Sequence, residues 1–268
     1  MLEQNINLFL QNTKIYLQKK NYAIKTIEIY INYIKEFLKY IDKSPSKIDR
    51  NDFVLFLNKY SNDSPSRKNQ IISSLKIFYN KILNKKVKIN LERPRKTKKL
   101  PDIIDQKYLI NKISKIKNLK HKTIISLAYS VGLRVSEIIN LKIDDIDSNR
   151  MLIKIINSKG SKDRYVPLSN YILSLLRKYY LKYKPEIYLF NGQTKLQYSS
   201  TSCNKIVKKY IDNKYTFHTL RHSCFTHMIE NGIDIKIIKD IAGHENIKTT
   251  EKYIKLSKKY ISNIETVL

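Results

Sequence analysis

Residues His218–Tyr253 read HTLRHSCFTHMIENGIDIKIIKDIAGHENIKTTEKY, and the other segments take their meaning from this one. Apolar residues recur at helical spacing over Thr219–Asn231, a glycine breaks the run at Gly232, and the period resumes over Ile235–Ile241. A second glycine, Gly243, then precedes His244, and Tyr253 lies nine residues further on. His218 and Arg221 are three apart, so they share one face at the N-terminal end of the first helix, where anions are favoured.

Two upstream segments complete the set. Tyr129-Ser130-Val131-Gly132-Leu133-Arg134-Val135-Ser136-Glu137 reads as a glycine-terminated helix followed by a second helix that begins beside an arginine. Asn157-Ser158-Lys159-Gly160-Ser161-Lys162-Asp163-Arg164 reads as a hairpin tip carrying a lysine. Taken alone, Arg134 is an ordinary surface arginine and the hairpin an ordinary solvated turn. Together, Arg134, Lys159, His218, Arg221, His244 and Tyr253 form a kit for handling phosphate without a metal. Guanidinium forks match phosphate oxygens, histidines donate or accept protons, and a tyrosine can serve as an oxygen nucleophile.

Composition points the same way. The 268 residues hold 52 Lys and Arg against 23 Asp and Glu, a net charge of +29. Such a surplus repels itself unless a polyanion lies nearby, which favours a nucleic acid or an acidic membrane surface as partner. An AT-rich coding bias would raise Lys, Asn, Ile and Tyr, but it would raise Glu as well, and acidic residues are scarce. Two cysteines, Cys203 and Cys224, exclude a disulfide framework and lead us to expect a reducing, intracellular setting. The sequence from Met1 to Asn7 lacks the pattern of a signal peptide, and no apolar run approaches the ~18 residues of a membrane span.

The first third reads as four helices. Ile6, Phe9, Leu10, Thr13, Tyr16 and Leu17 share one face, and Ile27, Ile31, Ile34, Leu38 and Ile41 share another. Asp49 with Asp52 signals the start of a helix over Phe53–Tyr60, and Ser64-Pro65 caps one lined by Ile71, Ile72, Leu75, Phe78, Tyr79, Ile82 and Leu83. Between Asn90 and Pro101 the period stops, and Arg93, Arg95, Lys96, Lys98 and Lys99 fall between prolines: a basic linker. Beyond it, helical periods cover Gln106–Ile116, Thr123–Tyr129, Tyr171–Tyr183 and Ser200–Asp212, with β-type runs at Lys142–Ile146, Met151–Ile156 and Arg164–Pro167 and a polar helix in the tail.

With these residues in place, the sequence resembles the tyrosine recombinases, or phage integrase family. Tyr129–Asp145 is similar to the family's first box, around a TGLRxSEL core. His218–Tyr253 is similar nearly throughout to its second, which reads HxLRH, THLLENG, LGH, TT and the tyrosine. Ala242 stands where Leu is usual, and Cys224-Phe225 replaces a commoner Thr/Ser-Phe-Ala pattern; neither touches the chemistry. The length is most like that of the Xer-type members.

The resemblance implies a mainly α protein with a small antiparallel β-sheet. It implies a helical core-binding domain at 1–88, the linker at 89–101 and an α+β catalytic domain at 102–268, closing as a C-shaped clamp on DNA. It implies Arg134, Arg221 and His244 on the scissile phosphate, Lys159 as general acid, His218 assisting proton movement at the tyrosine, and Tyr253 as nucleophile. It implies no cofactor, metal or ATP. It implies double-stranded DNA with an inverted-repeat core site as the partner, bound by a homo-tetramer or a hetero-tetramer with a second recombinase, in the cytoplasm at the nucleoid and not at a membrane. The tail, with Tyr260, Ile261, Ile264, Val267 and Leu268 at helical spacing, reads equally as a last helix packing on its own domain; the resemblance implies that it docks into a neighbouring protomer. Dimer resolution and mobile-element integration both remain open, as do a type IB topoisomerase and a non-catalytic DNA-binding protein. Zinc is disfavoured for His218, His222, Cys224 and His227, because the HExxH glutamate and a second cysteine pair are lacking. His222 and His227 read as packing residues, and His121 as a surface one.

Overall fold

The computed structural model describes residues 2–85, 93–94, 100–156, 163–192 and 197–257. The chain divides into two compact units, residues 1–98 and 99–268.

The first unit is built from α1 (Leu2–Lys19), α2 (Ile24–Ile41), α3 (Arg50–Asn58) and α4 (Pro65–Ile77), the last running into a π-turn over Phe78–Ile82. The caps are those the sequence signals. Asp49 accepts from the backbone of Asn51 and Asp52 at 2.7 and 3.2 Å, while the Asp52 carboxylate accepts from the Asp49 backbone at 2.9 Å. That box starts α3 at Arg50, three residues before its first apolar position, and the helix ends two residues short of Tyr60. Ser64 Oγ accepts from Arg67 N with Pro65 in the first turn. The apolar faces close over Ile34, Phe37, Phe53, Phe56, Ile71, Leu75 and Phe78, all fully buried. Phe37 stacks on Phe53 at 4.8 Å between centroids and meets Phe56 edge-on at 5.2 Å. Of the expected linker, Arg93 and Pro94 rest on α4, where Arg93 donates to Ser73 Oγ and the Pro94 carbonyl accepts from Asn69. The other basic residues of the expected linker lie outside the described residues.

The second unit contains α5 (Gln106–Ser114), α6 (Leu119–Val131), α7 (Val135–Asn140), a three-stranded sheet, α8 (Asn170–Tyr183), α9 (Ser200–Tyr210), α10 (Phe217–Glu230), α11 (Ile235–Ala242) and α12 (Lys248–Glu251). Helix α6 is buried continuously from Thr123 to Ala128, packed between α8 and α10. The sheet is antiparallel in the order β1 (Ile146–Asp147), β2 (Leu152–Ile155), β3 (Arg164–Pro167), with Ile153 opposite Val166 and Ile155 opposite Arg164. The strand expected over Lys142–Ile146 is mostly a 3₁₀ turn, Ile143–Asp145. The Asp145 carboxylate accepts from the Lys142 backbone at 2.8 Å and closes that turn, leaving only two residues to pair. The hairpin tip at 157–162 and the tail at 258–268 lie outside the described residues. Among the described residues, no helix is long and apolar enough to cross a membrane.

Candidate active site

Two left-handed glycines aim the site. Gly132 ends α6 at φ +62°, and its Cα approaches the Phe225 ring so closely that a Cβ there would lie 2.5 Å from Cζ. The chain therefore turns into α7 with Arg134 at its N-cap and Glu137 three residues on. Gly243 ends α11 at φ +61° and releases His244 toward α10. Helix α10 starts from Thr216, which exchanges hydrogen bonds with Thr219, so His218 falls in the first turn and Arg221 and His222 in the second.

Arg221 is 2% exposed and is gripped from three directions. It donates to the Gly132 carbonyl, to the Ala242 carbonyl at 2.7 Å and to His244 Nε2 at 3.1 Å, and its guanidinium lies over the Phe225 ring. Burial, then the neighbouring Arg134, lowers its pKa to about 10, so it stays charged at neutral pH. Arginine has no acceptor, so His244 Nε2 must accept, and the imidazole proton sits on Nδ1 toward Thr250 Oγ1 at 2.9 Å. Burial first, and Arg221 and Arg134 next, push the His244 pKa down to about 3. The ring is neutral.

Arg134, with its side chain 34% exposed, donates to Glu137 at 2.7 Å and to the Gly243 carbonyl at 3.3 Å. Glu137 also accepts both forks of Arg164 at 3.0 Å and lies 4.0 Å from Arg221. Burial pushes the Glu137 carboxyl up, but the hydrogen bonds and charge of Arg164, with those of Arg134, outweigh it and hold the pKa below the ordinary value. Arg164 in turn donates through Nε to the Ile241 carbonyl at 2.7 Å and lies flat on Gly243, where a Cβ would come within 3.0–3.1 Å of the guanidinium. Beside Arg134, a cavity of about 380 Å³ is lined by Val135, Asn204, Lys208 and His218.

Tyr253 is 1% exposed, and its hydroxyl is 3.2 Å from His222 Nδ1. Its ring is nearly parallel to that of His244 at 6.3 Å, with Phe225 5.3 Å away. Burial raises the phenol pKa against the lowering effect of Arg221, so the nucleophile candidate rests protonated.

Arg134, Arg221, His244 and Tyr253 are thus brought together. His218 reaches the tyrosine only through His222, whose ring it meets edge-on at 4.3 Å. His218 is expected to assist proton movement at the tyrosine; the imidazole in direct contact with the Tyr253 hydroxyl is that of His222, one helical turn further on, a residue read as packing. Lys159 lies outside the described residues. Glu137 and Arg164 were missed. The i, i+3 spacing of Arg134 and Glu137 is a local signal for the first, whereas nothing local joins Glu137 to Arg164. Of the other histidines, His121, read as a surface residue, is half-buried against Tyr210 at 3.1 Å, while His227 is a buried helix residue as expected and bonds Tyr129 at 2.8 Å. Among the described residues, no group of three His, Cys, Asp or Glu side chains is placed to hold a metal.

Comparison with known proteins agrees with this geometry. The model of the phage integrase family matches residues 104–259, and that of the phage integrase N-terminal SAM-like domain matches 9–89. The chain belongs to the phage integrase family. It is a site-specific tyrosine recombinase, most like the Xer type. Similar relatives include tyrosine recombinase XerA of Pyrococcus horikoshii, 35% identical with 84% of each chain covered, and XerD of Staphylococcus epidermidis, 30% identical with 74% of each covered. The crystal structure of XerA recombinase matches this recombinase with a TM-score of 0.56 and 26% identity over 96% of both chains.

Proposed function

We propose that this recombinase cuts and rejoins double-stranded DNA through a 3′-phosphotyrosyl link at Tyr253. Arg134 and Arg221 bind the two non-bridging oxygens of the scissile phosphate, where charge develops. His244 joins them when DNA binds by changing tautomer, its Nε2–H turning from Arg221 to the phosphate while Nδ1 accepts from Thr250, and each donor lost costs roughly 10²–10³ in rate. His218 shares the cavity beside Arg134 and joins them on the phosphate. The Tyr253 oxygen bonds to phosphorus, the bond to the 5′ oxygen breaks, and Lys159 protonates that oxygen. The link conserves the phosphodiester energy, so the 5′ hydroxyl of another strand can reverse the step without ATP. Two rounds pass through a Holliday junction. Residues 1–88 hold the core site, the basic linker at 89–101 tracks phosphates, 102–268 carry the chemistry, and four protomers assemble on an inverted repeat. The biological role we favour is Xer-like resolution of chromosome or plasmid dimers, in the cytoplasm at the nucleoid.

One observation carries the reading: two guanidiniums, a neutral imidazole and a protonated phenol converge on one spot where, among the described residues, three arginines share the Glu137 carboxylate, a local excess of positive charge suited to a phosphodiester.

The test is covalent capture. The recombinase is incubated with genomic DNA of its source organism and quenched in SDS, and the protein-linked fragments are sequenced, with Tyr253→Phe as control. Adducts at one inverted-repeat site that vanish in the control are expected. A site beside a replication terminus supports dimer resolution, and one at the end of a mobile element supports integration. Scattered adducts point to a topoisomerase, and adducts in Tyr253→Phe move the nucleophile elsewhere.

A further inference from the structure

We propose that His222 is a catalytic residue of this recombinase: its Nδ1 accepts the Tyr253 hydroxyl hydrogen bond, takes the phenol proton as the tyrosine attacks phosphorus, and returns it when the tyrosine leaves. The inference rests on the reading of Tyr253 as nucleophile. Within the described residues, His222 Nδ1 sits 3.2 Å from Tyr253 Oη, in a contact that is buried on both sides. A buried phenol with a raised pKa is a poor nucleophile until its proton has somewhere to go. Of the other groups around that oxygen, Arg221 only donates, and the His244 ring has committed Nε2 to Arg221 and Nδ1 to Thr250. Among the described residues, His222 is the acceptor that remains.

The surroundings fix how the proton can move. His222 faces His218 and Arg221 on its own helix, His244 after α11, and Lys252 and Tyr253 after α12. Burial first, and then His218, Lys252 and Arg221, drive its pKa down to about 3. The ring is therefore neutral and ready to accept throughout the working range. It cannot strip the phenol in advance. The proton crosses only as the oxygen–phosphorus bond forms and the phenol becomes acidic, with the bound phosphodiester anion offsetting the cationic neighbours. In the rejoining step the same imidazolium, made strongly acidic by those neighbours, protonates the departing tyrosinate. Proton count balances in both directions: His222 holds the tyrosine's proton for the lifetime of the covalent link, while the leaving 5′ oxygen carries the one supplied by Lys159.

The test uses His222→Gln, whose amide oxygen can accept the hydrogen bond but cannot hold the proton. Single-turnover adduct formation is followed on end-labelled, sheared chromosomal DNA of the source organism as label retained after SDS, with retention before SDS reporting binding. The variant should bind normally and form adduct about 10²–10⁴-fold more slowly. Its rate should climb about tenfold per pH unit from about pH 6 to about pH 9, because solvent must now take the proton, while the unaltered protein stays nearly flat. Placing 3,5-difluorotyrosine, a more acidic phenol, at position 253 should restore His222→Gln selectively. Adduct formation at the unaltered rate with the unaltered pH profile overturns the proposal. So does a pH-independent deficit that difluorotyrosine leaves unchanged, particularly with lowered thermal stability or lost binding, since that marks a packing residue. Adducts in Tyr253→Phe, or none in the unaltered protein, overturn the nucleophile assignment itself and are read from separate lanes.

Discussion

Replacing Glu137 with alanine tests the charge arrangement of the site more severely than removing any of its arginines. The carboxylate has 3% of its side chain exposed and holds both forks of Arg164, itself 9% exposed, together with the backbone N–H and one guanidinium nitrogen of Arg134, with Arg221 at 4.0 Å. Its loss leaves two nearly buried guanidiniums facing each other without a counter-charge. Breaking a buried pair from one side costs about 3–5 kcal/mol, since the surviving ion keeps its desolvation penalty. For a unit the size of residues 99–268 that corresponds to a fall in Tm of about 6–20 °C. Differential scanning calorimetry at neutral pH should find the transition of the catalytic unit lowered by this amount in Glu137→Ala. The pH dependence follows from the depressed pKa. A carboxyl whose folded pKa lies below its unfolded value of about 4.3 contributes stability that is present above that value and lost as pH falls through the folded one. The gap between Glu137→Gln and the unaltered protein should therefore be full at neutral pH and shrink below about pH 4. A Glu137→Ala variant melting within about 2 °C of the unaltered protein, or a gap that stays constant down to about pH 3, refutes the assignment of this carboxylate as the counter-ion of the site.

Arg134→Ala removes the least buried arginine of the same network, so its stability cost should be near 1 kcal/mol by urea titration, while adduct formation falls by about 10²–10³ with DNA retention near normal. Gly132→Ala forces a side chain into the left-handed region and against Phe225. Beyond the ~1–2 kcal/mol of backbone strain it should displace the carbonyl that holds Arg221, and both melting temperature and adduct rate should drop together. With a net charge of +29, retention of DNA lacking the target site should fall about 10³–10⁵-fold between 50 and 200 mM salt if six to ten phosphates are contacted, and a filter-binding series gives the slope.

What the sequence shows and what it hides divide along a physical line. Helices α2, α4 and α8 are legible because one face repeats at 3.6 residues. The starts of α3 and α4 are legible because Asp49 and Ser64 cap backbone groups only two or three residues away. Gly132 and Gly243 are legible for a similar reason, since a left-handed residue after an apolar run leaves few alternatives. Lys142–Ile146 misleads because Ile143 and Ile146, close to two further β-type runs, read as part of a short strand, while one carboxylate, Asp145, bends the segment into a 3₁₀ turn. The active site splits in the same way. Arg134 and Glu137 lie within one helical turn, and so do His218, Arg221 and His222, so each group is visible as a group. Which member meets which partner is set by segments arriving from elsewhere. Arg164 comes to Glu137 across 27 residues, and Tyr253 comes to His222 across 31. A helix face offers His218 and His222 one turn apart with equal local merit, and only the depth at which the Tyr253 segment docks on α10 chooses between them. Spacing identifies the chemistry, and tertiary packing assigns the proton.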